Sequence, residues 1–458
     1  MIFLTTLATM AACTTPDATE APAPVATAPT ANLPDLVIVA VGGLREDAES
    51  HAGDRFLAAF GGNPSLRFSN AYAVSPNPYV SLGTILSGRY PTATPLCGLT
   101  AAPGPLPDDA PWCNHWPKSV PSLPGVLALY GYRTALVAAN IAGAAELGKQ
   151  FQHTLVTQET WSNTQTNWSA LTTAAKLWWT AEPSRPRLLV VATSDLAMLS
   201  RPDLLAVMHL GPSAGNGQVD RRIVVNTYAD AAAAAGKGAA GVVAALSDTS
   251  ARERYVVLTG LHGINMGEAS NPWQALRDVS WNDILLDRTV HVPLAILTPD
   301  RTQPTTDGIV ELIDIVPSLL GRTNAVLPAG LHGQDLLSPT FTLDPDATAY
   351  SEFGDMLAVR QGKWMWSGRA FNFNRSSLDP ELTDFFVRFS PDSPKFHLND
   401  LSDDPYQRKE LLSAHLDEAR RMNALLLSIR TGPGAAPPTE MDARRIWDLR
   451  MSPADGYW

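Results

Sequence analysis

The sequence predicts an α/β fold, with a central mostly parallel sheet flanked by helices and a small C-terminal α+β subdomain. Three observations carry this expectation. Continuous apolar runs rich in β-branched residues recur along the chain. Helical stretches separate them. After about residue 345 the pattern changes to short strands and one closing helix. Apolar runs alternating with helices mark a parallel sheet covered on both faces. With 45% hydrophobic residues in 458, the chain has ample material for a core and is not globally disordered.

The elements follow in order. Leu36–Val41 (LVIVAV) predicts a strand buried on both faces. Thr134–Ala139, Leu188–Thr193, Tyr255–Thr259 and Val292–Leu297 repeat the pattern. Ser81–Ser87 reads as a short helix, and Trp168–Thr180 and Tyr228–Ser247 as longer ones. Ile309–Leu320 reads as the helix after the last strand. Tyr350–Trp366 and Phe396–Leu401 read as short antiparallel strands, and Ser413–Ile429 as an amphipathic helix. Residues 34–345 then form the α/β domain and 346–430 the subdomain. Residues 431–458 are a Pro/Gly-rich tail.

Net charge is −11, from 34 basic and 45 acidic residues. That balance argues against a nucleic-acid partner, because phosphate contacts demand a basic footprint.

The first 33 residues speak to compartment. Residues 1–13 read as a lipoprotein signal. Met1–Ala12 is mostly apolar and too short to span a bilayer, which takes about 20 apolar residues. Met10-Ala11-Ala12-Cys13 resembles a bacterial lipobox, with Cys13 as the lipidated residue. No Lys or Arg precedes the apolar run, unlike an ordinary signal n-region. The competing reading is a plain cysteine in a frayed terminus. Residues 14–33 are rich in Pro, Ala and Thr and read as a tether. The layout predicts a lipid-anchored protein of the bacterial envelope, facing the periplasm or the cell surface. Thr14 after the cysteine favours outer-membrane sorting. Cys97 and Cys113 remain, and in an exported chain they read as a disulfide contributing about 3 kcal/mol.

Five patches resemble the sulfatase branch of the alkaline phosphatase superfamily. They are Pro34–Val39 with Leu44–Asp47; Asn70–Ala73 with Ser81 and Leu86–Pro91; Tyr255–Thr259 with His262-Gly263; Val292–Leu294 with Asp314–Leu319; and Leu398–Pro405. They stand in the family's order from about Pro34 to Ile429. The resemblance implies an alkaline-phosphatase-like sandwich. It also implies a chemistry. A divalent cation, usually calcium, polarises the ester oxygens. An Asp-Asp pair after the first strand and an Asp followed by Asn or His after a later strand hold it. The nucleophile is a Cys converted to formylglycine within C-x-P-S-R, or a Ser or Thr in related phosphatases.

The sequence departs from the family at those positions. Aligned through Leu44-Arg45, the Asp-Asp pair falls on Gly42 and Gly43. Aligned through Gly88-Arg89, the nucleophile falls on Pro78, while Ser81 and Arg89 survive. The later Asp falls on Leu261, beside a surviving His262. Calcium takes about six to eight oxygens, and one imidazole is a poor substitute. The expectation is therefore no metal and no cofactor, with catalytic groups lost. Substrate-side matches are thin: Asp195 with Ala197 in place of a His, His209, Lys237, Glu352 and Lys363. The survivors have structural readings too. His262 reads as a strand cap or turn filler, Ser81 as a helix N-cap, Arg89 as a clamp on helix carbonyls, and Asp47 as a loop residue. Trp161–Trp179 reads as helix-to-sheet packing, with an aromatic ligand platform as the lesser reading.

Three functions stay open. The first is a degenerate sulfatase homologue that binds or scaffolds, with a glycan or a protein as partner. The second is an active ester hydrolase in which Asp47, Asp195, His209, His262, Asp283 and His291 regroup around a different metal. The third is a carbohydrate-binding surface protein.

Overall fold

The computed structural model describes residues 33–47, 51–61, 65–94, 96, 116–157, 166–194, 196, 221–246, 252–264, 285–299, 306–353, 356–369 and 396–430. Cys13, Cys97, Cys113, Asp195, His209, Asp283 and the tail after residue 430 lie outside them.

The large sheet has the order β4-β3-β5-β1-β6-β7-β2-β8. Its strands are β1 (Asp35–Gly42), β2 (Leu66–Tyr72), β3 (Arg133–Ala139), β4 (His153–Thr157), β5 (Arg187–Thr193), β6 (Arg254–His262), β7 (His291–Leu297) and β8 (Thr306–Glu311). The strands from β4 to β6 pair in parallel. β7 runs against both neighbours, and β8 pairs with β2 in parallel. The sheet is thus mostly parallel, as the apolar runs predicted.

Both faces are covered. Leu36, Ile38 and Ala40 of β1 join a core with α2 (Pro78–Ser87), α3 (Leu123–Leu129) and α4 (Ala144–Gly148). Val37, Val39 and Val41 point the other way. They pack with α1 (Ala52–Phe60), α5 (Trp168–Ala181) and α6 (Arg221–Ala245). This is why β1 shows no polar alternation: a strand between two helical layers has no wet side. The Trp-rich helix does pack on the sheet. Trp179 is buried under Arg187 and Arg254, with the guanidinium carbons 4.0 and 5.0 Å from the ring centre.

The short helix α7 (Asp287–Val290) leads into β7, and α8 (Ile315–Leu320) follows β8. The expected helix over Ile309–Leu320 is half wrong. Ile309 and Val310 belong to β8, because β2 offers them a parallel edge. The helical turns begin only where the Asp314 carboxylate accepts the Glu311 backbone N–H at 2.9 Å.

The smaller sheet is antiparallel, in the order β12-β11-β10-β9. It comprises β9 (Thr348–Phe353), β10 (Met356–Gln361), β11 (Trp364–Arg369) and β12 (Phe396–Asp400). Tyr350–Trp366 therefore spans parts of three strands. α9 (Leu416–Arg430) buries Ala419, Met422 and Leu426 against Tyr350, Trp366 and Leu398. On the other side of this sheet, Phe353, Met356 and Ala358 meet Tyr72, Val290 and Ile309 of the large unit.

Candidate functional site

In open parallel sheets, ligands sit beyond the carboxyl ends of the strands. Here β1, β5 and β6 end side by side on Gly42, Thr193 and His262. Gly42 lies opposite His262, after a register shift at Val41/Gly42. Ser194 follows β5 directly. A Cβ on Gly42 would stand 2.8 Å from Ser194 Oγ and 3.2 Å from His262 Nε2. A side chain here would have to turn the Ser194 hydroxyl aside and would crowd Ser194 Cα at 3.1 Å.

Gly43 turns the chain with a φ of 80°, a left-handed value that favours glycine. The Tyr228 hydroxyl, from α6, fixes that turn. It donates to the Gly43 carbonyl at 2.6 Å and accepts from the Arg45 N–H at 2.9 Å. The Arg45 side chain is buried. It pairs with Asp47 and donates to the Ile264 carbonyl at 3.2 Å. Asp47 is therefore an ion-pair partner, not a free loop carboxylate.

His262 is fully buried, and its Nδ1 lies 2.7 Å from the Gly263 carbonyl. A carbonyl only accepts, so Nδ1 carries the proton and Nε2 presents a lone pair. Burial pushes the imidazole down to about 4, so it is neutral at pH 7. Two hydroxyls stand where β5 ends. Thr193 Oγ1 and Ser194 Oγ are buried and have no hydrogen-bond partner among the described residues. Leu261 is core, in the same cluster as Tyr79 and Leu82 of α2.

Pro78 is the first residue of α2. Asn77 caps the helix, its side-chain oxygen accepting from Tyr79 N–H at 2.9 Å and Val80 N–H at 3.1 Å. A Pro at this position loses nothing, because the first N–H has no helical partner. Ser81 is not the cap. It lies inside the helix, fully buried, with Oγ donating weakly to the Ser75 carbonyl at 3.4 Å. Arg89 follows the left-handed Gly88 at the other end. It donates to the Ala329 carbonyl at 2.5 Å, so it ties down a distant loop rather than its own helix.

The remaining candidates disperse. His291 sits at the start of β7, with Nε2 donating to the Ser69 carbonyl at 2.7 Å and Nδ1 3.4 Å from Asp287. Lys237 is exposed on α6. Glu352 accepts from the Tyr350 hydroxyl at 2.5 Å, and Lys363 pairs with Asp400 at 2.5 Å. Among the described residues, no group of three His, Cys, Asp or Glu is placed to hold a metal ion. A calcium ion needs several anionic oxygens, and Gly42, Gly43, Ser194 and a neutral His262 do not supply them. These residues do not fit the family's cation. Sequence reasoning missed Ser194, Tyr228 and Asn77. Only Asn77-Pro78 carried a local signal, a capping residue before a proline.

Comparison with known proteins covers most of the chain. Residues 54–325 match the sulfatase family model. yidJ, a protein of Bacteroides fragilis assigned to the sulfatases, superposes with a TM-score of 0.63 at 16% identity, over 88% of this chain and 97% of that one. A 2-O GAG sulfatase gives 0.59 at 16% identity, over 87% and 93%. The phosphonate monoester hydrolase of Agrobacterium radiobacter gives 0.55 at 14% identity, over 87% and 95%. At such identities the structures share the fold. No curated protein gives a significant match.

Proposed function

This chain belongs to the sulfatase family, and on that premise we propose that it is a pseudosulfatase: an envelope lipoprotein that keeps the scaffold, has lost the hydrolytic groups, and binds or scaffolds instead. The observation that carries the reading is the packing at Gly42. The position that aligns with a metal-binding Asp is a glycine, and a Cβ there would crowd Ser194 and His262. The nucleophile position is a proline serving as a helix start. The aligned survivor His262 is neutral and buried.

General drift would have blurred scaffold and site together. Here the strand ends, the α2 cap and the Gly43 turn are well built, while anionic oxygens are missing from the aligned positions. A glycan or an envelope protein is the partner class in keeping with a lipid anchor at Cys13. The glycan option also leans on a structural neighbour described as a 2-O GAG sulfatase.

Calorimetric titration of the full chain with calcium, magnesium, manganese and zinc tests the reading. The expected result is no stoichiometric heat with any of them. Binding that His262→Ala abolishes would overturn it.

A further inference from the structure

The outer edge of β9 meets no further strand of its own sheet. It faces the large unit, and hydrogen bonds from three successive residues fasten it there. The Tyr350 N–H donates to Glu311 Oε1 at 2.7 Å. The Ser351 hydroxyl donates to the Ala73 carbonyl at 2.8 Å, and the Glu352 N–H to the Val74 carbonyl at 2.8 Å. Two of these acceptors are backbone carbonyls, which pH does not change. The third is a buried carboxyl at the end of β8.

The surroundings of Glu311 disfavour its charge. Asp314 takes the Glu311 N–H at 2.9 Å on one oxygen and the Gln334 N–H at 2.8 Å on the other. Two N–H donors suit an ionised Asp314, and neighbouring buried carboxyls without a cation resist ionising together. Glu311 meets one N–H and one phenol. Its 2.6 Å bond with the Tyr90 hydroxyl can run either way, from phenol to carboxylate or from acid to phenol. The proton of the pair therefore fits best on Glu311. The other groups packed around it bring no cation among the described residues. His332 stacks on Tyr90 at 5.0 Å, and its Nδ1 accepts the Tyr90 N–H at 3.0 Å. Glu352 on β9 accepts from the Tyr350 hydroxyl. Tyr72 lies opposite Glu311 on β2, and its hydroxyl bonds to Asp287 and Arg360, which pair with each other. Arg89 turns to the Ala329 carbonyl, and Arg421 of α9 to Glu418. Burial holds the Glu311 carboxyl up at about 8.

We propose that Glu311 is a clasp worked by its own proton: neutral, it fastens β9 to the large unit, and loss of the proton favours a state in which β9 has let go. In the open state water solvates the carboxylate, so the cost of burying its charge disappears. Asp287 and Arg360 keep their charges throughout and hold the two units together while β9 opens. Opening also frees Ala73 and Val74, which lead into Asn77 and the start of α2. The clasp thus ties the segment that carries Pro78 to solution pH. The sign follows from linkage. The clasp is fully fastened where the solvated carboxyl would also be protonated. It weakens as pH rises to the folded value and levels beyond it, where the closed state is ionised too.

Amide hydrogen exchange of the full chain from about pH 5 to about pH 9, corrected for the intrinsic pH dependence of exchange, tests the clasp. Protection of the Tyr350 and Glu352 amides should fall by up to about tenfold per pH unit and level off above about 8. The amides of β1 should stay better protected throughout, because β9 opens without global unfolding. In E311Q the side-chain amide stands in for the neutral acid, so β9 protection should stay flat across the range. Protection of β9 that does not vary with pH in the parent overturns the proposal. So does the same slope in E311Q, which assigns the titration to another group. Equal protection of β9 and β1 at every pH overturns it as well, since β9 then opens only with the whole chain. Failure of E311Q to fold also overturns it, because a neutral clasp is then not enough.

Discussion

Two buried polar regions of this molecule have opposite characters. At the carboxyl ends of β1, β5 and β6, the groups that meet are a glycine, the Ser194 hydroxyl and a neutral imidazole. At the seam between the two sheets, the groups that meet are charged. Asp287 accepts from Arg360 at 2.7 Å and from the Tyr72 hydroxyl at 2.8 Å, and faces His291. His291 stacks on the Tyr72 ring at 4.9 Å. Burial opposes the Asp287 charge, but Arg360 and His291 outweigh it and hold the carboxyl far below its usual range. Burial also opposes a charged His291, and Asp287 wins there too.

A few residues away, Glu311 accepts from the Tyr90 hydroxyl at 2.6 Å and the Tyr350 N–H at 2.7 Å. Among the described residues no cation faces it, and burial pushes it up to about 8. Buried charge persists in this chain where an opposite charge faces it, as also at Arg187–Asp35 and Arg45–Asp47. No carboxylate stands at the positions aligned with the family's Asp-Asp pair and later Asp.

The largest expected effect is at the seam. Asp287→Ala leaves Arg360 and His291 buried without their anion. Breaking such a pair costs about 3–5 kcal/mol. Denaturant unfolding should show that loss, and a loss below about 1 kcal/mol would mean the network is solvated and weak.

Filling the other region has a smaller cost. Gly42→Asp forces a Cβ against Ser194 and His262 and should destabilise by about 1–3 kcal/mol. Added calcium should not recover the melting temperature. Recovery by calcium would show that the family's site is one substitution from function.

The pH response sharpens the comparison. In the folded state Glu311 and Asp314 are raised to about 8 and about 7 by burial, from 4.5 and 3.8. The folded chain therefore holds protons that the unfolded chain releases. Their contribution is full below the unfolded values and is lost as pH rises toward 7 and 8. Each group can add a slope of up to about 1.4 kcal/mol per pH unit. Glu311→Gln should flatten the fall in stability between pH 5 and 8. Parallel curves for the two proteins would assign the titration elsewhere.

The smallest effect is at the α2 cap. Asn77→Ala should cost about 1 kcal/mol, since two buried N–H groups lose their acceptor. A neutral result would mean that Pro78 alone sets the helix start.

Much of this was legible in the sequence, for identifiable reasons. β1, β3, β5, β6 and β7 are buried on both faces, so their apolar runs are unbroken. β2 and β4 were silent. β2 is broken by Arg67 and the consecutive Ser69 and Asn70, and β4 is an edge strand with three exposed positions. Ile309 and Val310 carried the β-branched signal of a strand, but the helix behind them obscured it. At the site, the aligned positions were readable because motifs flank them. Ser194 and Tyr228 were not. Each matters only through partners far away in the chain, Gly42 for one and Gly43 with Arg45 for the other.

The central claim is that hydrolytic chemistry has gone while the scaffold remains. Turnover by the purified full chain tests it most directly. The assay offers aryl sulfate, phosphate and phosphonate esters with calcium, magnesium, manganese or zinc, with His262→Ala and Ser194→Ala beside the parent. The account predicts no turnover above the metal-free control. Metal-dependent turnover that disappears in either variant would contradict it, and would mean that the carboxyl ends of β1, β5 and β6 hold a rebuilt active site.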